Sequence, residues 1–584
     1  MVRTKPLIST FLLFTLFCGI SAIAFAQDDT PDLDIKSVSI GDLGASAAGP
    51  ASPTGTKRPP RVGPNIRANA TQQFFPDGLV GRSETTVAAT SDGQSILVGF
   101  NDAQGFCGSP FGVACTPQSP PGLSGFAFST NGGLSFADGG APDPALFSNV
   151  FTRGDPWMDR GGFDNLTFYY ANLSIDATSG ADLGVSVHRG HFDGGTFAFE
   201  DVRVFNAPNA QNRCQVFGAP PGTLAPCDFY DKEAIAATKD SSGTAYVSVT
   251  NFQALCGLAQ FGFGQIEVWR THNGGDTWLG PAIAGPEAAD SVASCGFSGT
   301  LQQSSAPAIG PNGEVYVVWQ FGPTFTAVTS TNANIYFARS LDGGSTFSTP
   351  SSVAAINSMR QDSPVGYNRD RLNDHPRVAV ATSGSHKGRI YVTFYSAVDP
   401  VTAGALSACP VPLSGRCRAQ RLTSSNVFVT FSDNQGATWS TPVAIGGLLA
   451  SGSTGVKRWW PVVNVEPGGT VDVVYYESQE TTTASNPFCT INVGGGVRRR
   501  GTANSLADTF WAQSLNGGST FGTPIKMTTA TTNWCTSASN IRPNFGDYIG
   551  ATFGGNRVLA TWGDGRNGVV DTFDATGLGA GKSQ

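Results

Sequence analysis

At 584 residues the chain is longer than a single hydrophobic core usually organises, so it is either several domains or a repeat architecture. Only 14% of its residues are charged, and 36 Lys+Arg against 43 Asp+Glu leave a net charge of −7, which argues against nucleic acid as a partner. With 73 glycines and so few charges, the composition suits an all-β extracellular protein rich in tight turns.

The N-terminus carries Arg3 and Lys5, then an apolar run from Leu7 to Phe25 that ends in the small-residue pattern AFA before Gln27. This reads as a cleaved secretory signal over 1–26, because no stop-transfer pattern follows and Phe17 before Cys18 is too bulky for a lipoprotein signal. The mature chain is therefore expected to be soluble and secreted, extracellular or periplasmic, with a net charge of about −9 once two basic residues are removed. Residues 27–70 have no hydrophobic periodicity and are rich in Pro, Gly, Ala and Ser, as expected of a disordered linker.

From residue 71 to 584 one pattern recurs: a strand of small and β-branched residues, a Gly/Asn/Asp turn, and a second strand rich in Val, Tyr and Trp. Seven such hairpins start at Glu84, Asp155, Asp231, Ser305, Asp374, Arg458 and Asp547, spaced 69 to 89 residues apart. That period fits a four-stranded propeller blade with some long loops. The predicted fold is all-β, a single propeller of four-stranded antiparallel blades. Seven blades are preferred, and six if the weak second repeat is an insertion. The seventh hairpin is followed by only one further strand, VVDTFDA from Val569, so an N-terminal strand around Gln72 to Phe75 is expected to close the ring.

A second phrase lies downstream of most hairpins. SLDGGSTF from Ser340 and SLNGGSTF from Ser514 are its best copies; looser ones start at Ser129, Thr271 and Ser432, and a damaged one, HFDGGTF, starts at His191. Gly supplies positive φ, the Asx and hydroxyl side chains bond turn amides, and the aromatic residue plugs into the blades, so the phrase reads as a structural turn between the third and fourth strands. It resembles the Asp box, or bacterial neuraminidase repeat, of the sialidase-like superfamily. That resemblance implies a β-propeller and a glycan-related activity of exo-glycosidase type.

In a propeller the connections alternate between two faces. Here one face carries short turns, and the other carries the long loops 102–122, 205–229, 280–303, 398–424 and 479–506. Eight of the ten cysteines after Cys18 fall in the long loops, and adjacent pairing gives Cys107 with Cys115, Cys214 with Cys227, Cys256 with Cys295, Cys409 with Cys417, and Cys489 with Cys535. Zinc fits poorly, since there is no C-x-x-C and the five histidines do not cluster, so neither metal nor cofactor is expected.

The long-loop face also receives the first residues of each inner strand, which are unusually polar for positions near an axis. If the resemblance extends to chemistry, it implies an arginine clamp from Arg82, Arg377 and Arg458, a Tyr548 nucleophile backed by Glu233, and an acid from Asp155 or Asp159. Asp231 and Asp374 are further catalytic candidates, with Trp157, Trp459 and His375 as substrate-binding ones. The superfamily's Arg-Ile-Pro signature is absent, GRSETT standing in its place, so no role carries over by motif. Two alternatives stay open. One is a polysaccharide lyase using His375, Tyr548 and Arg377; the other is a non-catalytic glycan- or protein-binding or scaffold propeller. A glycan is the expected partner, no membrane insertion is expected, and the chain is expected to act as a monomer.

Overall fold

The computed structural model describes residues 60–578 apart from 73–78, 108–119, 163, 177–181, 217–219, 260–263, 295–298, 324–332, 361–362, 368–371, 401–422, 454, 482–491, 494–495, 498–503 and 542. Seven antiparallel sheets follow one another along the chain as the blades of a β-propeller. Their inner strands are Arg82–Ala89, Val150–Arg160, Phe229–Ala237, Thr300–Ile309, Arg377–Val380, Val456–Val465 and Gly550–Gly554. The second repeat forms a complete four-stranded blade, Val150–Arg160 through Thr196–Phe205, so the six-blade alternative falls.

Blade 7 supplies three strands of its own, Gly550–Gly554, Arg557–Asp564 and Asp571–Leu578, and the N-terminal segment supplies the rest. The closing strands are Arg61–Val62 and Ile66–Arg67, both paired with Asp571–Leu578, so they lie upstream of Gln72–Phe75 and inside the stretch expected to be linker. Gln72 still takes part, through Nε2 to the Val570 carbonyl (2.8 Å) and Asp571 Oδ1 (2.6 Å). Residues 73–75 lie outside the described residues. A two-residue strand carries little hydrophobic signal of its own, which is why composition alone made this stretch look like linker.

The repeated phrase forms the same turn five times. The hydroxyls of Ser129, Thr271, Ser340, Ser432 and Ser514 each accept the amide N–H of the glycine four residues on, at 2.8–3.1 Å. The Asx side chain accepts the amide of the residue four further on, as Asn516 does from Thr520 at 3.0 Å. The aromatic residue packs against the preceding blade: Trp278 lies 5.1 Å from Phe205 and Trp439 lies 5.3 Å from Phe337. In blade 2 the damaged copy makes a shorter turn, in which Asp193 pairs directly with Thr196.

Arginines from the preceding blade fasten these turns. Arg189, Arg339, Arg389 and Arg557 donate to the carbonyls of Gly274, Gln435, Gly517 and Gly132 at 2.8–3.0 Å, and Arg270 donates to Gly344 at 3.2 Å. Each box is therefore a hydrogen-bonded latch between neighbouring blades as well as a turn. The apolar clusters lie between blades too; one joins Tyr169, Val187 and Phe205 of blade 2 to Tyr230, Ile235 and Val247 of blade 3.

Candidate functional site

Near its start, each of five inner strands carries a register shift, and at that shift a non-glycine residue takes positive φ. These residues are Glu84 (53°), Asp155 (56°), Lys232 (56°), Ser304 (65°) and Trp460 (49°). Such backbone is costly and persists only where the surroundings enforce it, and a bulge re-aims its side chain. Four of the five re-aimed side chains are polar, and the fifth, Trp460, joins the aromatic core.

Four charges form one cluster. Lys232 Nζ contacts Asp155 Oδ2 directly and lies 3.0 Å from Asp547 Oδ2 and 3.7 Å from Glu84 Oε1. Glu84 is 1%, Lys232 6% and Asp547 0% exposed, while the Asp155 side chain keeps 14% of its surface in solvent. Burial, and then the Asp155 charge, push the Glu84 carboxyl well above the usual carboxylate range. Burial works against the Asp155 charge as well, yet Lys232 and the hydrogen bond to Glu84 hold Asp155 below its usual range. The two neighbouring carboxyls are thus shifted in opposite directions.

Beside this cluster, residues of three blades touch one another. Trp157 and Tyr548 lie 5.5 Å apart between ring centroids, and the Arg377 guanidinium sits 4.2 Å over Trp157 and 5.3 Å from Tyr548. His375 packs 6.1 Å from Tyr548 and hydrogen-bonds Ser304 at 3.1 Å. The Tyr548 hydroxyl donates to the Pro156 carbonyl (2.9 Å). Burial, followed by Glu84, Asp155 and Glu233, raises its pKa well above the ordinary value. That is the opposite of what activates a phenol as a nucleophile. Glu233 is 2% exposed, and burial and Asp155 raise its pKa strongly.

The remaining candidates have separate partners. Arg82 pairs with Asp102 at 2.9 Å, Arg458 pairs with Glu477 at 2.7 Å, and Trp459 is wholly buried against Tyr476 and Trp534. Asp374 accepts the Met359 amide (2.9 Å) and the Ser358 hydroxyl, and burial raises its pKa to about 6. Asp231, half-buried, accepts the Lys232 amide at 2.9 Å, while Asp159 is bonded to Lys239 and the Ala237 amide. The three arginines thus have different partners and form no common clamp among the described residues.

Sequence reading missed the connection 357–376 between blades 4 and 5. Tyr367, fully buried, donates to Asp547 Oδ1 (2.7 Å), and Asn373 donates to Asp547 Oδ2 (3.1 Å). The Val365 amide reaches Glu480 of blade 6 (2.7 Å), and Asn544 donates to the Gly366 carbonyl (2.9 Å). This segment crosses from blade 4 to blades 6 and 7 and caps the axial charges. Only the aromatic Tyr367 in a polar stretch hinted at it.

An open concavity lies off the axis on the long-loop face. A shallow cleft with a cavity of about 20 Å³ is lined by Arg153, Leu173, Ser174, Ala210, Phe229 and Tyr230, between the strand ends of blades 2 and 3. Beside it, the sheet Arg213–Val216, Leu224–Pro226 and Leu258–Ala259 is pinned by the Cys214–Cys227 disulfide, one of the expected bridges. Cys107 and Cys256 are also disulfide-bonded, while Cys115, Cys295, Cys409, Cys417 and Cys489 lie outside the described residues. Cys535 is buried. No three His, Cys, Asp or Glu side chains are grouped to hold a metal, and no helix is long and apolar enough to cross a membrane, among the described residues.

No family model matches the chain, and no curated protein matches it. Solved structures similar to it include an α-L-arabinofuranosidase of Fusarium graminearum, at 12% identity over 71% of this chain and 92% of that one, with a TM-score of 0.38. An α-L-arabinanase of Penicillium chrysogenum is 13% identical over 71% and 94% of the two chains, with a TM-score of 0.37. A leech intramolecular trans-sialidase is 10% identical over 87% and 81%, with a TM-score of 0.34. At such distances these likenesses carry no argument about chemistry, and the seven-bladed fold rests on the strand pairing itself.

Proposed function

We propose that the chain is an exported glycan-binding propeller whose ligand occupies the off-axis cleft beside the disulfide-pinned sheet. One contrast carries this reading: the axis is filled by buried ion pairs and capped by Tyr367, whereas the cleft between blades 2 and 3 is open. Phe229 and Arg153, both half-buried, line it and are the side chains that a sugar there would meet. A glycan array probed with the mature protein tests it. A hit lost in Phe229→Ala supports the reading, and hits unaffected by that substitution count against the cleft.

A second reading, glycoside hydrolysis at the axis, is favoured by the opposite pKa shifts of Glu84 and Asp155, a pairing that separates an acid from a base. It requires the Tyr367 segment to move aside. Product analysis on any array hit separates the two: intact glycan after long incubation supports binding, and released sugar supports hydrolysis.

A further inference from the structure

Lys232 and Asp155 come from the bulges of adjacent inner strands, and both sit on positive-φ backbone, with Lys232 buried and Asp155 partly exposed. Of the three carboxylates around Nζ, Asp155 is in direct contact, ahead of Asp547 at 3.0 Å and Glu84 at 3.7 Å. The Asp155 backbone is tied by its own amide to Asn101 Oδ1 at 2.8 Å, and Asn101 Nδ2 in turn holds Glu84 Oε2 at 2.9 Å. The usual competitor for an aspartyl side chain, attack by the next backbone N–H, is absent because residue 156 is proline.

We propose that Lys232 and Asp155 are joined by a side-chain amide, an intramolecular isopeptide bond that ties blade 2 to blade 3 at the propeller axis. The Nζ lone pair attacks Asp155 Cγ, a Cγ–Oδ bond breaks, and that oxygen leaves as water. The ammonium and carboxylate together become one amide plus one water, with no oxidant, reductant or cofactor. Asp547 Oδ2, 3.0 Å from Nζ, takes the first ammonium proton and frees the lone pair; Glu84 gives its proton to the departing oxygen and recovers the second one from Nζ, and the proton on Asp547 completes the water. The buried Glu84 carboxyl retains its recovered proton, as burial and Asp155 dictate. Burial opposes the Lys232 charge, but Asp155, Glu84 and Asp547 outweigh it and raise its pKa well above the ordinary value, so the free amine is a minor form that the cluster must generate by proton transfer. The compensating factor is proximity: fixed partners in such contact react as if at roughly 10⁵–10⁸ M.

The bond goes beyond glycan binding and is independent of it. It is incompatible with Asp155 serving as a catalytic base, so it also bears on the hydrolase reading. The test is the mass of the secreted wild-type protein after full disulfide reduction. The expected mass is one water, about 18 Da, below that of the mature sequence. Tryptic digestion should yield peptide 154–160 joined to 214–239, uncut after Lys232. Glu84→Gln should return the full mass. A wild-type mass equal to the sequence, or a water lost while 154–160 is recovered free, overturns the proposal. Because the wild-type protein decides the matter, no variant needs to fold for the test to stand.

Discussion

Arg389 donates Nη1 to the carbonyl of Gly517, 2.8 Å away, and so binds the second strand of blade 5 to the box turn of blade 6. The same guanidinium pairs with Asp433 at 2.6 and 2.7 Å and lies 4.1 Å over Phe431. Equivalent contacts recur at the other boxes. Conformations that each turn could adopt alone are thus narrowed to the one that also fits the neighbouring blade.

Arg557 closes the ring by bonding two carbonyls of blade 1's turns, Gly93 and Gly132, each at 3.0 Å. Arg557→Met is expected to destabilise the protein by about 1.5–3 kcal/mol, the range for hydrogen bonds to a charged group. Thr196→Val, in the blade 2 turn that lacks the box, is expected to stay within about 0.5 kcal/mol of wild type. Urea denaturation of both variants checks the contrast.

Asp342 occupies the box position that holds Asn131, Asn273, Asn434 and Asn516 in the other copies, and it accepts from the same Ser and Thr positions. Hydrogen bonds from Thr346 and Ser340 hold its carboxyl well below the usual range. A depressed carboxylate contributes stability above its unfolded pKa and loses it as pH falls. Asp342→Asn should therefore melt like wild type at neutral pH and lose less stability on acidification. Trp439→Ala, removing a half-buried ring packed on Phe337, should cost about 2–3 kcal/mol, below the range for a fully buried tryptophan.

How much of this was legible depended on whether a residue's role is local. The box was readable because its bonds join residues four apart, and the inner strands because small residues crowd the axis. The arginine latches were not, since a lone Arg in a strand has no local pattern until the neighbouring blade is placed. Likewise Lys232 is flanked by Asp231 and Glu233 in sequence, yet its partners Asp155 and Asp547 lie in other blades. Candidates on or just before the inner strands did converge, as with Asp155, Trp157 and Arg377 on the strands and His375 and Tyr548 two residues ahead of them. Arg82 and Arg458 were instead held by acids on their own blades.

Asp574, 1% exposed on the strand that receives the N-terminal closing segment, has its pKa pushed up to about 8 by burial, with Arg557 opposing. In the unfolded chain it titrates near 3.9. The folded state therefore retains a proton that the unfolded chain releases between about pH 4 and 8, and stability should fall with rising pH across that window. Asp574→Asn is expected to match wild type at pH 4 and exceed it at pH 9, as read by chemical denaturation at both values.

The Cys214–Cys227 bridge closes a 13-residue separation beside the cleft. Removing such a bridge relaxes the sheet it pins, so Cys214→Ser with Cys227→Ser should show faster proteolysis within 207–228 and weaker glycan binding. Limited proteolysis followed by peptide mapping reads the first effect directly.

The central claim is that a glycan binds off the axis, in the cleft between blades 2 and 3. Calorimetric titration of one array-selected glycan into wild type, Phe229→Ala and Asp155→Asn tests it most directly. The account predicts at least a tenfold loss of affinity in Phe229→Ala, about 1.4 kcal/mol, and an unchanged affinity in folded Asp155→Asn. Affinity lost in Asp155→Asn but kept in Phe229→Ala would return the ligand to the axis and contradict the claim.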